Sequence, residues 1–330
     1  MLKELQGNGL LIHHWDTDGI CSARLLLKYL DDKKLINKTP ILGNYYLTQK
    51  EIEEFKKFDF IIIADMSFPK KDILALADNS EIIIFDHHLG EEIKDVFHYN
   101  PIIKGKNPNL YPSASWIINT YLENKPNLFA FLGVVGDHEK KILDNPVFNK
   151  LLNDFCQEKT LDFDDFLVMV HLLDSNYKVG DKKEVENAPH YLLAKENPQA
   201  ILENKKWQKN LANLNFEIKK QLHDSPMERQ GVLIKQMHTP YNIISTVTRQ
   251  LAWEKGKTTM VINTGFSQDF DQVYVRSKKN CEPLIMLGKK MGFKCGGKQE
   301  VFGAIVPKNQ TQNLMGKIFD FFEIKNVKEL

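Results

Sequence analysis

Two runs of branched apolar residues, each closed by an aspartate, constrain this chain more than any other feature. Phe60-Ile61-Ile62-Ile63-Ala64 leads into Asp65, and Glu81-Ile82-Ile83-Ile84-Phe85 leads into Asp86. β-Branched side chains lose rotamer freedom in a helix and pack well on a pleated surface, so both runs read as strands. Neither alternates apolar with polar residues, which places them inside a sheet covered on both faces. A third run, Leu10-Leu11-Ile12, is followed by polar His13 to Gly19 and then by Ser22-Ala23-Arg24-Leu25-Leu26-Leu27, giving strand, loop and helix. Thr48 to Phe58 reads as a helix started by a Thr48/Glu51 capping box. Lys70 to Ala77 is helix-compatible in the same way. Strands alternating with helices predict an α/β fold built on a parallel, doubly wound sheet.

The pattern changes along the 330 residues. From about Pro146 to Leu222 the chain is polar and leucine-bearing. Ala200 to Leu214 reads as helix, and Asp181 to Pro189 as a loop. Beyond Met227 strand signals return in Gly231-Val232-Leu233-Ile234, Thr259-Met260-Val261-Ile262 and Gln272 to Arg276, with a helical Ile243 to Trp253 between the first two. The expected organisation is a catalytic α/β domain over 1–145, a helical connector over 146–228 and a smaller α/β domain over 229–330, each within the usual range of domain sizes.

Charge supports a division of labour. Residues 231–330 hold 15 Lys and Arg against 8 Asp and Glu, a net of +7, which leaves residues 1–230 at −6. An acidic pocket gathers cations, and a basic lobe holds an anionic substrate. Lys278, Lys279, Lys289, Lys290, Lys294 and Lys298, with Arg276, form the basic stretch, although lysine runs are also common as solvated faces. The four cysteines, Cys21, Cys156, Cys281 and Cys295, lack the close pairing of a structural zinc site and read as reduced, packed thiols. No apolar run reaches the length of a membrane span, and Met1 to Leu10 lacks a signal pattern, so a cytoplasmic address is expected.

The polar residues that follow the strands carry the chemistry. His14, Asp16 and Asp18 follow the first strand, Asp65 ends the second, and Asp86-His87-His88 ends the third. Asp137 follows Phe131 to Gly136, which is either a strand or a buried helix. In open parallel sheets the carboxyl ends of the strands form the ligand crevice, so these residues converge on one rim. So many carboxylates together repel strongly unless cations hold them. Carboxylates with a few imidazoles and no thiolate suit Mn²⁺ or Mg²⁺, with zinc or cobalt as substitutes in vitro. A cluster of this size fits two ions about 3.5–4 Å apart, the arrangement that serves in-line phosphoryl displacement.

The series His14-x-Asp16-x-Asp18-Gly19, Asp65, Asp86-His87-His88 and Gly136-Asp137-His138 resembles the four ordered motifs of the DHH phosphoesterase superfamily. Val275-Arg276-Ser277 and the run from Cys295 to Gly303 resemble the DHH-associated domain of its RecJ-like and oligoribonuclease branches. The resemblance implies that His14, Asp16 and Asp65 hold one metal, that Asp18, Asp65, His87 and Asp137 hold the other, and that Asp65 bridges them. It implies that His88 contacts the scissile phosphate, with Asp86 orienting the adjacent histidine. Arg276, a Gly296-Gly297 turn and Lys298 would bind the substrate. The implied activity is a Mn²⁺-dependent exonuclease on single-stranded DNA or RNA, 3′→5′ in the small archaeal type, with a helicase as partner. A short-oligoribonucleotide or linear dinucleotide phosphodiesterase is the alternative, and a non-catalytic scaffold a third reading.

Two departures from the family pattern stand out. Lys298 takes the place of a histidine after the glycines, which keeps a cation but loses a planar, titratable group. His14 lies two residues before Asp16, so His13 competes with it as a ligand. His138 reads as structural. Trp207, Phe266 and Tyr274 are aromatic enough to stack on bases, but each reads first as core.

Overall fold

The computed structural model describes residues 1–31 and 34–324. The chain divides into two compact units. One comprises Met1–Tyr177 and Asp181–Leu211, the other Lys178–Gly180 and Ala212–Leu330.

The first unit opens with β1 (Gly9–His13), α1 (Thr17–Tyr29), β2 (Leu35–Lys38), α2 (Gln49–Phe55), β3 (Phe60–Ala64), α3 (Lys70–Ala77), β4 (Glu81–Phe85) and β5 (Phe97–Tyr99). These strands form one sheet in the order β2-β1-β3-β4-β5, parallel throughout. Every residue of β1 and β3 is buried, as the unbroken apolar runs require of strands covered on both faces. The chain first steps from β1 outward to β2, then returns past β1 to build β3, β4 and β5 on the other side. That reversal puts a switch point between the carboxyl ends of β1 and β3, where the neighbouring connections part and leave a crevice. The capping box of α2 is present, with Thr48 Oγ1 accepting from Glu51 N–H and Glu51 reaching back to Thr48 N–H.

Helices α4 (Ala114–Tyr121), α5 (Leu128–His138), α6 (Pro146–Lys159), α7 (Phe163–Lys178), α8 (Lys182–Ala194) and α9 (Pro198–Leu202) follow. Helix α1 packs against α4, α5 and α8. The apolar run before Asp137 is thus a buried helix and not a strand. Two further expectations need correction. Asp181 to Pro189 is helical: Asp181 caps α8 by accepting from Glu184 N–H (3.0 Å). Val185, Ala188, Pro189 and Leu192 bury one stripe at helical spacing. That burial outweighs the roughly 3 kcal/mol an interior proline costs. The helix expected over Ala200–Leu214 is broken. Asn204 accepts from Lys206 and Trp207 N–H and so starts α10 (Lys205–His223) afresh.

The second unit holds β6 (Met227–Arg229), β7 (Val232–Met237), α11 (Ile244–Lys255), β8 (Thr259–Asn263), β9 (Phe270–Arg276), α12 (Glu282–Lys290), β10 (Lys294–Lys298), β11 (Val301–Pro307) and α13 (Thr311–Ile324). Its six strands order as β10-β11-β9-β8-β7-β6, with only β7 and β8 parallel. One face carries Met260, Val273, Val275, Phe302 and Ala304 into a core with Leu284, Leu314 and Ile318 of α12 and α13. The other face carries Val261 and Tyr274 against Val247 and Leu251 of α11. Gly296 and Gly297 stand inside β10, which corrects the turn expected there. Cys21, Cys156, Cys281 and Cys295 are free thiols. Among the described residues, no helix is long and apolar enough to cross a membrane.

Candidate metal centre

Backbone hydrogen bonds carry the first sheet's ladder one residue past the strand ends and into the motifs. His14 N–H donates to Ala64 O (3.2 Å), Asp65 N–H to Phe85 O (2.9 Å) and Asp86 N–H to Tyr99 O (3.3 Å). Three motif residues are thereby fixed in register along one rim of the sheet. Asp65 holds φ at 60°, in the left-handed region, which costs a residue with a side chain about 1–2 kcal/mol.

The loop after β1 is equally constrained. Asp16 caps α1 through Oδ1, which accepts from Gly19 N–H (3.2 Å), while its Oδ2 lies 2.7 Å from His14 Nδ1. A Cβ at Gly19 would sit 2.3 Å from His14 O, so only glycine closes this turn. Thr17 donates its N–H (3.0 Å) and hydroxyl (2.8 Å) to Asp174 Oδ1 of α7. Asp18 is fully buried. Its Oδ2 accepts from Ala114 N–H (2.7 Å) and its Oδ1 from Ser115 N–H (2.9 Å). Those N–H groups open α4, where they lack intrahelical partners and favour a carboxylate.

Asp137, near the end of α5, places Oδ2 3.2 Å from His87 Nε2, which in turn lies 3.3 Å from Asp65 Oδ1. Donor atoms thus gather in three overlapping triplets, each within 4.8 Å: His14-Asp16-Asp65, Asp18-His87-Asp137 and Asp65-His87-His88. Asp65 and His87 each belong to two of them. Asp86 belongs to none. Its Oδ1 accepts from His87 N–H (2.9 Å), His88 N–H (3.3 Å) and His88 Nδ1 (2.7 Å), so the histidine it orients is His88. His13 is buried outside all three triplets, its Nδ1 2.6 Å from His14 O. His138 Nε2 meets Pro112 O at 2.9 Å.

The electrostatics follow from this crowding. Burial, then the charges of Asp18, Asp16, Asp137 and Asp86, push the Asp65 carboxyl well above the usual carboxylate range. Burial also works against the Asp16 carboxylate. The charge and hydrogen bond of His14 and the Gly19 N–H outweigh it and hold Asp16 at about 2. Burial lowers His87. It acts on His88 too, but there the hydrogen bond and charge of Asp86, with the charges of Asp16 and Asp18, win and raise the imidazole above 6.5.

A divalent cation fits these residues. Asp65 Oδ1 and both ring nitrogens of His14 are buried without a hydrogen bond, although His14 Nδ1 lies close to Asp16 and Asp65 Oδ1 lies close to His87 Nε2. Lone pairs left unsatisfied inside a protein are costly, and a metal ion takes up several at once. The donors are carboxylate oxygens and imidazole nitrogens with no thiolate, the set that suits Mn²⁺ and Mg²⁺.

In the second unit, Arg276 ends β9 and shares a row of the sheet with Val301 and Lys298. Gly297 has φ 152°, and a Cβ there would lie 2.0 Å from Val301 O, whereas a Cβ at Gly296 would meet open space. Trp207 is fully buried, and Phe266 and Tyr274 are half-buried. The sequence reading missed Asp174, although a buried aspartate on the Val170, Leu173 and Asp174 stripe of α7 is itself a signal. It also missed the α4 amides that hold Asp18.

Residues 10–145 match the DHH family, N-terminal domain. RecJ from Thermus thermophilus in complex with Mn²⁺ superposes with a TM-score of 0.71 at 14% identity, covering 98% of this chain and 53% of that one. The chain therefore spans about half the length of that relative. An exonuclease RecJ bound to manganese gives 0.69 at 14% identity over 98% of this chain and 92% of its own. PggH, a pGpG-specific phosphodiesterase from Vibrio cholerae, gives 0.54 at 13% identity over 96% and 99%. No curated protein matches the chain by sequence. A parallel sheet with Asp and His motifs at its carboxyl rim defines the class. Residues 10–145 carry a DHH-family N-terminal domain, and the chain has a RecJ-like fold.

Proposed function

We propose that this chain is a two-metal phosphodiesterase that degrades single-stranded DNA or RNA from the 3′ end and releases mononucleotides. The observation that carries the reading is the convergence of His14, Asp16, Asp18, Asp65, His87 and Asp137 around buried, unpartnered donor atoms. His14, Asp16 and Asp65 would hold one ion, and Asp18, Asp65, His87 and Asp137 the other, with Mn²⁺ the preferred ion and Mg²⁺ a substitute. Bound ions supply an activated water and neutralise charge on the phosphoryl oxygens.

The remaining roles belong to this chain's own groups. Asp86 fixes the His88 ring through Nδ1 and favours its protonated form, in which Nε2 donates to a phosphate oxygen. Asp174 holds Thr17 and so sets the spacing of Asp16 and Asp18 on either side of it. The α4 amides hold the Asp18 side chain and aim it. Arg276, Gly296, Gly297 and Lys298 bind the substrate's phosphates, the glycines allowing close approach of backbone.

The test is Mn²⁺-dependent digestion of 5′-labelled single strands, DNA and RNA, from dinucleotides upward, with Asp65→Ala as control. A ladder of shortened labelled products on long strands supports the proposal. Immediate release of labelled mononucleotide reverses the polarity. Cleavage confined to the shortest oligomers favours a dinucleotide phosphodiesterase, a reading supported by the likeness to PggH over nearly its whole length.

A further inference from the structure

The face of the second sheet that packs on α11 does not stay covered across its width. Val261 of β8 and Tyr274 of β9 meet the helix, but toward the edge Val301 and Gly303 of β11 are only half-buried, and Gly296 and Lys298 of β10 are exposed. The register puts Lys298, Val301 and Arg276 in one row and Gly296, Gly303 and Tyr274 in the next. Side chains in such rows project from the same face. Gly303 lets the Tyr274 ring lie over it, since a Cβ there would sit 3.2 Å from that ring. The result is a shelf with a glycine floor and a wall made by β9 and α11.

Trp253 stands on α11 at that wall and is 64% exposed. The guanidinium carbons of Arg249, one turn earlier on the helix, and Arg276 each lie 5.3 Å from its ring centroid. An exposed tryptophan loses apolar burial worth about 2 kcal/mol or more, so its place beside two cations asks for a ligand. Among the described residues, no carboxylate lies within ion-pair distance of Arg276. Cations beside an aromatic plane and an open glycine floor match a nucleotide, which presents a flat base and an anionic phosphate at fixed separation.

We infer that Trp253 is the stacking platform for a nucleobase of a single-stranded substrate, with Arg249 joining Arg276 on the adjacent phosphate. The inference rests on the nuclease reading and adds to it: the second unit recognises bases as well as charge, and so selects nucleic acid over other phosphodiesters. Of the four tryptophans, Trp15 and Trp207 are buried and Trp116 is half-buried, so fluorescence quenching by a ligand reports on Trp253.

The experiment compares an oligothymidylate with an abasic strand of equal length, both titrated into metal-chelated protein so that no hydrolysis intervenes. The oligothymidylate is expected to quench the fluorescence, and Trp253→Phe to remove the quenching while keeping most of the affinity. Trp253→Ala is expected to weaken oligothymidylate binding about tenfold and leave abasic binding unchanged. Arg249→Gln is expected to weaken both strands alike. Equal loss on both strands in Trp253→Ala, or no loss, overturns the stacking role. Wild-type protein that cleaves the strand in Mn²⁺ while Trp253→Ala binds it normally sinks this inference alone. Wild-type protein that neither binds nor cleaves it sinks the nuclease reading as well.

Discussion

Replacing Gly133 by alanine tests the centre without touching any proposed ligand. Glycine inside a helix costs about 1 kcal/mol relative to alanine, so this change in α5 would ordinarily stabilise the protein. Here the added Cβ would lie 2.0 Å from Ser115 Oγ and 2.1 Å from Asp18 Oδ1. Overpacking of that kind costs about 1–3 kcal/mol. Driving Asp18 off the α4 amides forfeits hydrogen bonds to a buried carboxylate, worth about 1.5–3 kcal/mol each. If one of the two is lost, the net is a destabilisation of about 1.5–5 kcal/mol. Gly136→Ala is the control, because its Cβ would come no closer to any atom than 3.1 Å, from Thr17 Cβ, and its effect should stay within about 1 kcal/mol. Urea denaturation followed by tryptophan fluorescence in a Trp253→Phe background reports the first unit alone, since Trp15, Trp116 and Trp207 all belong to it. Mn²⁺ titration of the same proteins should show weakened binding in Gly133→Ala only. A Gly133→Ala protein as stable as wild type, with unchanged Mn²⁺ affinity, would refute the close packing of Asp18 between α4 and α5.

Three further outcomes are expected. His88→Gln should lower kcat about a hundredfold or more with Mn²⁺ affinity intact. It should also remove the alkaline limb on which wild-type activity falls as pH rises through the raised His88 pKa; an unchanged pH profile would contradict the assigned role. Buried His13 is held neutral down to about 4 instead of 6.5, so the unfolded chain takes up its proton first on acidification. Its contribution is present in full above pH 6.5 and is lost as pH falls toward 4, by about 3 kcal/mol. His13→Asn should flatten that part of the stability curve in denaturant titrations, and equal slopes would count against it. Lys298→Glu should weaken binding of longer strands and reduce its salt dependence, read from affinities across a salt series. No change in either would leave the basic edge a solvated surface.

What the sequence disclosed depended on how local the cause was. Unbroken isoleucine runs ending in Asp65 and Asp86 announce buried strands whose next residues face a crevice, and Thr48 with Glu51 announces a helix start. The gathering of acidic and imidazole side chains was legible because strand ends and motif residues coincide. Helix α8 was misread because Pro189 is a local breaker, whereas the stripe from Val185 to Leu192 is rewarded only by tertiary packing against α1. The same limit hid Asp174, whose partner Thr17 is 157 residues away, and the pairing that makes the glycines of β10 part of a strand. Trp253 gave no sign either, because its exposure and its two guanidinium neighbours exist only in the folded unit.

The most direct test of the account is Mn²⁺ stoichiometry in wild-type protein and Asp65→Ala. Asp65 offers donors to the His14-Asp16 group and to the His87 group alike, so one substitution should disable both ions. The account predicts two bound ions per wild-type chain, and near-complete loss of both in Asp65→Ala together with turnover. Normal occupancy in Asp65→Ala, or a single ion in the wild type, would contradict the shared centre on which the proposed chemistry depends.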